Sequence, residues 1–452
     1  ESLGSLMKSE AAPLLPAPSH PCRCASREAS LVVMVAVVIL TGIAKMFTDH
    51  ALSVQQTQIA HDTGVPSVVS ALPCVGSAFY VLGKLVGVPF SSSIGAYRGL
   101  VAAMFVSTVA SLTFTIGTPA AMYISWCTYR FATAFVWPCG VRTFVAWFDT
   151  RLFGRASAIL AIAWEGGAIL AGLGYSFMVQ KGYDWRNCFH VATVISGTTL
   201  AIIAAFLHDN PASLGLRAPV IESPELSEHH PLSDVSGPVA ARALLTDWVL
   251  WLGLLGMSCA SACAYLGSYA SVFVTEALGG SPSAGAYTSS MSAIGAIVGV
   301  VFGGIVYDYF LPTRSMRSRF MAVWSGLYSF VMGFILLYLV GVKSVAWYCV
   351  VLLGAGFFAS VPYGIMQVVF ACKYASARHV GSFIHLLDAF ALSVSVLAQM
   401  IAGDHMVYRQ FNAYVVTTAI FSSFAGIFLV LFLVFDLRFR SLEVPIKPLL
   451  SP

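Results

Sequence analysis

The chain has 452 residues, of which 58% are hydrophobic and only 10% are charged, and its formal net charge is +4. Soluble domains carry about 25% charged residues, so this composition excludes an ordinary soluble protein. The basic residues stand in short clusters between apolar runs, which argues against nucleic acid as a partner.

The ten cysteines give no sign of a disulfide framework or a metal site. Cys22 and Cys24 are too close together to bridge usefully or to form a zinc site alone. Most of the others lie in or beside apolar runs, where a free thiol packs as a small hydrophobic group. We therefore predict no metal and no cofactor.

Residues 1–28 are polar and rich in proline, and we interpret them as a disordered cytoplasmic tail. Within them, residues 10–15 (Glu-Ala-Ala-Pro-Leu-Leu) resemble an acidic dileucine signal for sorting to endosomes or lysosomes. We therefore expect the protein in a plasma, endosomal or lysosomal membrane.

Twelve apolar runs follow, each long enough to cross a hydrocarbon core of about 30 Å as a helix. They are residues 29–55, 65–91, 98–116, 119–148, 154–181, 185–207, 245–276, 284–309, 316–341, 344–372, 379–404 and 409–437. The sequence thus predicts an all-α membrane protein with twelve transmembrane helices.

One long polar stretch, residues 208–244, separates the sixth run from the seventh and predicts a flexible cytoplasmic linker. It divides the chain into an N-terminal six-helix bundle at 29–207 and a C-terminal six-helix bundle at 245–437. A cytoplasmic tail at 438–452 follows. Two bundles of six helices are the layout of a transporter.

The distribution of basic residues predicts the orientation. Lys45, Lys84 and Arg130 lie inside spans. Seventeen of the other Lys and Arg residues fall on the side of the N-terminus, and four fall on the other side: Lys181, Arg186, Lys343 and Arg409. Because cytoplasmic loops are rich in Lys and Arg, we expect both termini in the cytoplasm.

Related stretches end the second and eighth runs, GVPFSSSIGAYRG and GGIVYDYFLPTRSMRSR. In the second stretch Asp308 is placed to pair with the arginines that follow it, among them Arg314. The first stretch has Ser91 to Ser93 where that acid would stand, so we expect a weaker charge contact in the first half.

Several short motifs resemble those of one transporter family. WPCGVRTFVAWF at 137–148 keeps a Trp-Pro pair, a basic residue at Arg142 and an aromatic pair; YVLGKLVG contains Lys84, and YDWRNCF contains a Trp-Arg-x-x-Phe element. These motifs resemble the major facilitator superfamily and, within it, the organophosphate:phosphate antiporters that carry sugar and glycerol phosphates. The resemblance implies the fold of that superfamily and a transport function.

The chain departs from that family at the expected substrate positions. Asp49 and His50 stand where the family has an Arg-Lys pair, and the seventh run has no basic residue; Tyr265 and Tyr269 lie there instead. A phosphate dianion would meet repulsion from Asp49 in a site of low dielectric constant. The departures argue against a phosphate ester as substrate.

Charged residues inside membrane spans usually face a cavity or a partner, because each costs about 2.5–3.5 kcal/mol in the bilayer. Lys45 and Asp49 are four residues apart and share a helix face, so they either pair with each other or leave Asp49 facing a substrate cavity. Lys84 and Arg130 are candidates for substrate contact, for packing or for coupling.

Three further groups are candidates for proton coupling. Glu165 lies mid-span beside Trp164, where a carboxyl group needs a proton, a cation or a partner such as Arg130. His385 and Asp388 are three residues apart, a spacing that fits either a hydrogen-bonded proton relay or a structural contact between helices.

Six aromatic residues are candidates to line a cavity for a cation: Trp137, Trp164, Tyr265, Tyr269, Tyr287 and Tyr363.

Together these features predict a monomeric secondary active transporter that works by alternating access in the lipid membrane, with proton symport as one option. Asp49 favours a small cationic or zwitterionic solute such as a choline-like amine or an amino acid. One alternative is an organic anion or sugar phosphate bound by Lys45, Lys84 and Arg130. Another is a receptor that transports nothing. No motif of an enzyme is present.

Overall fold

The computed structural model describes residues 27–64, 67–148, 153–216, 246, 248–306, 310, 314–339, 344–361 and 380–440. The predicted tails at 1–28 and 438–452 lie almost wholly outside these residues, and most of the predicted linker at 208–244 does too. Throughout the described ranges the regular secondary structure is helical.

Thirteen long helices make up the described chain. They are α1 (Arg27–Thr63), α2 (Ser67–Ile94), α3 (Ala96–Phe114), α4 (Pro119–Thr133), α5 (Val136–Trp147), α6 (Phe153–Gln180), α7 (Trp185–Phe206), α8 (Trp248–Leu266), α9 (Pro282–Ile305), α10 (Arg314–Leu339), α11 (Val345–Ser360), α12 (Val380–Val407) and α13 (Phe411–Arg440).

These helices correspond to the twelve predicted spans, because α4 and α5 together form the fourth. Within the described ranges, nine helical segments are long and apolar enough to cross a membrane by themselves. The prediction of twelve helices is confirmed, although several ends differ. For example, α1 continues to Thr63, eight residues past its predicted end, because helical backbone hydrogen bonds need no apolar surroundings.

A proline divides the fourth span. Pro138 has no N–H to donate to the carbonyl of Ala134, and its ring would clash with that carbonyl in a continuous helix. Accordingly α4 ends at Thr133, and α5 begins at Val136. The seventh span is also irregular, because after Leu266 it continues through a 3₁₀ turn at Gly267–Tyr269 and a π turn at Phe273–Ala277.

The helices form two six-span bundles, α1–α7 and α8–α13. The most extensive contacts between the bundles are those of α2 with α12 and of α6 with α9. Along α2 and α12, the Ser77 hydroxyl donates to the side-chain carbonyl of Gln399 at 2.6 Å. Along α6 and α9, the Ser176 hydroxyl donates to the carbonyl of Ser283 at 3.0 Å.

Apolar side chains join the bundles at the end where α1 begins, which we call the N-terminal face. Val141 and Phe144 of α5 belong to one buried cluster with Val361 and Ile384 from the second bundle. The Ser77–Gln399 and Ser176–Ser283 contacts lie toward the other end, which we call the opposite face. The bundles therefore meet on both sides of the membrane midplane.

Glycines allow α9 and α11 to approach backbone to backbone. A Cβ atom on Gly356 would lie 1.8 Å from the carbonyl oxygen of Ser292, and one on Gly295 would lie 1.9 Å from that of Leu353. A side chain at either position would push the two helices apart.

We predict that Gly356→Ala lowers the stability of the protein by about 1–3 kcal/mol or more, because the added methyl group meets backbone rather than a movable side chain. The measurement is thermal unfolding of the purified protein. Gly354→Ala on the same helix is the matched control, because a Cβ there has no neighbour within 4 Å. Equal melting temperatures for the two variants would contradict the packing described.

Candidate functional site

The carboxylate of Asp49 is held by two cations inside the first bundle. The Lys45 ammonium, one helical turn earlier on α1, donates to Oδ2, and Arg130 Nη1 on α4 donates to Oδ1 at 3.0 Å. The exposed fractions are 5% for Lys45 and Arg130 and 16% for the Asp49 side chain. Of the two alternatives that the sequence left open for Lys45 and Asp49, the structure contains the ion pair, and Arg130 is its third partner.

The phenol ring of Tyr80 lies at the centre of three cationic groups. Arg130 Cζ is 4.6 Å from its centroid, Lys84 Nζ is 5.2 Å away and Lys45 Nζ is 5.9 Å away. The negative face of an aromatic ring attracts cations at such distances, more strongly where water is excluded. Tyr80 thus brings side chains from α1, α2 and α4 around one ring.

Lys84 carries the network across to the second bundle. Its ammonium, which is fully buried, donates to Asp388 Oδ2 on α12 at 2.5 Å. Removing one partner of a buried ion pair is strongly destabilising. This pair ties α2 to α12 between the Ser77–Gln399 contact and the N-terminal face.

The described network holds more positive than negative charge. Lys45, Lys84 and Arg130 supply three cations, while Asp49 and Asp388 supply two carboxylates. Guanidinium also has five N–H donors, of which the contact with Asp49 uses Nη1. An anionic group that enters the network would therefore find both excess charge and donors.

The predicted aromatic residues divide between this network and other places. Trp164 faces Lys45, whose Nζ is 5.5 Å from its ring, and Tyr265 faces Arg130 at 5.7 Å. Trp137 packs edge-on against the far side of this arrangement: its ring centroid is 5.0 Å from that of Trp164, so it contacts the network through Trp164. Tyr269 donates its hydroxyl to the carbonyl of Gln399 at 3.1 Å.

Three predicted site residues lie elsewhere. His50 directs Nδ1 toward the carbonyl of Met46 on its own helix, at 3.1 Å. Tyr287 is 46% exposed near the start of α9, away from the network. Tyr363 lies outside the described residues.

Glu165 is separate from the network. The alternative that it pairs with Arg130 is wrong, since Arg130 pairs with Asp49. On α6, Glu165 lies two turns from both Ala158 and Gly172, the positions that approach Gly304 and Ser290 of α9. It therefore lies on the side of α6 that packs against the second bundle, half-buried and without an ion pair to a described residue.

His385 and Asp388 do not form a hydrogen-bonded unit. Asp388 accepts from Lys84, and both ring nitrogens of the fully buried His385 lack a hydrogen-bond partner within the described chain. The imidazole instead packs against Gly87 of α2 and edge-on to Phe135, with ring centroids 5.6 Å apart. The two residues share a helix face but contact different groups.

The predicted charge contacts at the helix ends are only partly described. Arg142 lies half-buried on α5, while Asp308 and the side chain of Arg314 lie outside the described residues. In the first half, Asp209 supplies the acid that is missing from residues 91–93: its Oδ1 accepts from the backbone N–H of Tyr97 at 2.7 Å. It also lies against Gly95, whose φ of +82° favours glycine.

None of the described residues forms a group of three or more His, Cys, Asp or Glu side chains that would hold a metal ion. What the site offers is instead an arrangement of fixed charges and aromatic rings inside a membrane bundle. Such an arrangement binds and orients a charged solute.

Comparison with known proteins identifies the fold family. The model of the major facilitator superfamily matches residues 29–403, which is most of the chain. The chain belongs to the major facilitator superfamily. It is therefore a membrane transporter rather than an enzyme. A comparison with curated proteins gives no match.

A solved structure of another protein shows the same fold. It is described as a bacterial homologue of the human lysosomal transporter Spinster, in an inward-facing and unoccupied conformation. The two chains share 14% identity over 91% of this chain and 98% of that chain, with a TM-score of 0.64. At this identity the likeness concerns the fold alone. The finer assignment to the organophosphate:phosphate antiporters stays a prediction.

Two members of the network escaped the sequence analysis. Tyr80 is the first residue of the YVLGK motif, but nothing in that motif says that three cations from different helices surround it. Tyr129 precedes Arg130 and donates its hydroxyl to the backbone carbonyl of Lys45 at 2.9 Å. The sequence feature that could have pointed to Tyr129 is its position directly before an arginine inside a membrane span.

We predict that Asp49→Asn lowers the free energy of unfolding by about 3–5 kcal/mol, because it leaves two buried cations without their shared carboxylate. Glu276→Gln is the control: its partner Arg409 is 75% exposed, and surface pairs contribute about 0–1 kcal/mol. Thermal unfolding of the purified variants measures both effects. If Asp49→Asn were as mild as Glu276→Gln, the buried network would not be the stabilising element described.

Proposed function

We propose that this superfamily member transports a small organic anion by alternating access, and that the anion binds among Lys45, Lys84 and Arg130. The observation that carries the proposal is the charge of the described network, in which three buried cations share two carboxylates. An excess buried charge is costly, and an anionic solute offsets that cost.

Arg130 is the best placed of the three to hold the anion. It is buried at mid-membrane and pairs with Asp49 through one nitrogen, and its ring neighbours Tyr80 and Tyr265 hold the guanidinium in place. Guanidinium binds carboxylate and phosphate groups through two parallel hydrogen bonds. A carboxylate or a phosphate monoanion fits this donor set.

Lys84 connects binding to movement. In the structure its ammonium is bound to Asp388 of the other bundle at 2.5 Å. A solute anion that approaches Lys84 competes with Asp388 for the same donors. Occupation of the site then weakens a contact between α2 and α12, which is the change that alternating access requires.

A cationic or zwitterionic solute is the second candidate, and the aromatic rings favour it. Tyr80, Trp164 and Tyr265 already hold cationic side chains at 4.6–5.7 Å. A solute amine that displaced Lys45 from Asp49 would find a carboxylate and the same rings. This arrangement suits a choline-like amine or an amino acid, with Arg130 free to bind the carboxylate of the latter.

Orientation and coupling complete the proposal. The excess of Lys and Arg on the side of the N-terminus supports cytoplasmic termini, and the dileucine-like residues 10–15 support an endosomal or lysosomal membrane. Glu165, half-buried and without an ionic partner among the described residues, is the candidate proton-binding group for symport.

The experiment is uptake into proteoliposomes of labelled monocarboxylates, sugar phosphates, choline and amino acids. We expect uptake of an anion, and we expect Arg130→Gln to lower its rate at limiting solute by about tenfold to a hundredfold. That loss corresponds to one charge-assisted hydrogen bond of about 1.5–3 kcal/mol. Arg186→Gln is the control, because Arg186 is 40% exposed at the opposite face.

The other classes give different results in the same assay. Choline uptake that survives Arg130→Gln and is lost in Asp49→Asn would contradict the anion and support the cation. Amino-acid uptake lost in both variants would support a zwitterion. A solute that raises the melting temperature but is never transported would indicate a receptor.

A further inference from the structure

His385 occupies a position on α12 that is neither part of the charge network nor explained by packing alone. Its side chain is fully buried, and both ring nitrogens lack a hydrogen-bond partner within the described residues. Burying a polar group without a hydrogen-bond partner lowers the stability of the folded protein. An apolar residue of similar size would have avoided that cost.

The imidazole sits in a notch made by a glycine of the other bundle. A Cβ atom on Gly87 would lie 2.3 Å from Cε1 and 2.6 Å from Nδ1 of His385. Phe135, at the junction of α4 and α5, covers a further side of the ring. The ring is thus enclosed only while α2 and α12 are in contact here.

This contact belongs to the N-terminal face. His385 lies in the second turn of α12, and Gly87 lies two turns before the end of α2, whereas the Ser77–Gln399 contact lies toward the opposite face. Ile384, adjacent to His385, belongs to the apolar cluster that joins the bundles at this face. When the N-terminal face opens, His385 is exposed to water.

The charges around the ring oppose its protonation while it is enclosed. Lys84 lies one turn from Gly87 on α2, so its fully buried ammonium is on the same side of that helix as the imidazole. On α5 the nearby titratable groups are Arg142 and the Cys139 thiol, and on α12 Asp388 is already bound to Lys84.

The remaining packed helices add no compensating anion. α8 carries no charged residue, although it contributes the Tyr265 phenol, and α13 has no Lys, Arg, Asp, Glu or His before Asp436. Among the described residues, a histidinium at this position would therefore be buried beside a cation with no carboxylate of its own.

We infer that His385 and Gly87 form a proton-sensitive gate at the N-terminal face, which closes only around a neutral imidazole. The enclosed form binds one proton fewer than the open, hydrated form. Lowering the pH through the range in which histidine takes up a proton therefore favours opening, by at most about tenfold per pH unit for one proton. The inference holds for a solute of either charge.

The test is the distance between spin labels at two exposed positions of the N-terminal face, Arg98 on α3 and Arg319 on α10, in a variant without native cysteines. The protein is held in lipid nanodiscs without solute, at pH 8 and at pH 5. We expect the longer, open distance to gain at least severalfold in population at pH 5, and we expect His385→Gln to abolish that change.

A second pair of variants tests the steric part independently. Gly87→Ala should populate the open distance at both pH values, because its methyl group meets the imidazole, and adding His385→Ala should restore the closed distance. Gly174→Ala, where a Cβ has no neighbour within 4 Å, should change nothing.

Two results would overturn the inference. One is a pH response that persists unchanged in His385→Gln, or that is missing in the wild-type protein. The other is a Gly87→Ala variant as closed as the wild type.

Discussion

The Asp49 carboxylate, held between Lys45 and Arg130, is the interaction on which the rest of the site depends. It joins α1 to α4 inside the membrane, where each of the three charges would be costly to bury alone. Because none of the three residues is stable there without the others, the helices must keep one relative position. That position in turn sets where Tyr80, Tyr129 and Tyr265 lie.

The same physics reaches the second bundle through Lys84 and Asp388. This pair is as buried as the first but spans an interface that must rearrange during transport. An ion pair inside a rigid bundle mainly fixes the geometry of that bundle. An ion pair across a moving interface must also be broken during transport, so the binding of the solute has to compensate for its loss. The Lys45–Asp49 and Lys84–Asp388 pairs both have their lysine beside the ring of Tyr80. A solute that binds at one pair therefore changes the surroundings of the other.

The interface combines several kinds of contact along its length. Polar pairs such as Ser77 with Gln399 lie toward the opposite face, and apolar packing around Ile384 lies at the N-terminal face. His385 introduces a titratable group into the apolar part, and Gly87 makes room for it. The contacts on the two sides of the midplane therefore differ in chemistry, and only those at the N-terminal face include the proposed proton-sensitive contact.

The sequence predicted the helices because each needs only a local apolar run. It offered the Lys45–Asp49 pair as one of two alternatives, because residues four apart share a helix face. It did not predict that Arg130 also binds Asp49, or that Lys84 binds Asp388, since these partners are 81 and 304 residues apart. Their meeting depends on how the helices pack. The charge of the proposed solute depends on the same long-range pairs, and this is why Asp49 alone pointed to a cation.

The most direct test of this account is a double-mutant cycle between Lys84 and Asp388, measured as the free energy of unfolding in a lipid environment. Lys84→Met and Asp388→Leu should each cost about 3–5 kcal/mol, since each removes one partner of a buried ion pair, and the double variant should regain most of that loss. Additive losses in the double variant would contradict a buried ion pair that joins the two bundles.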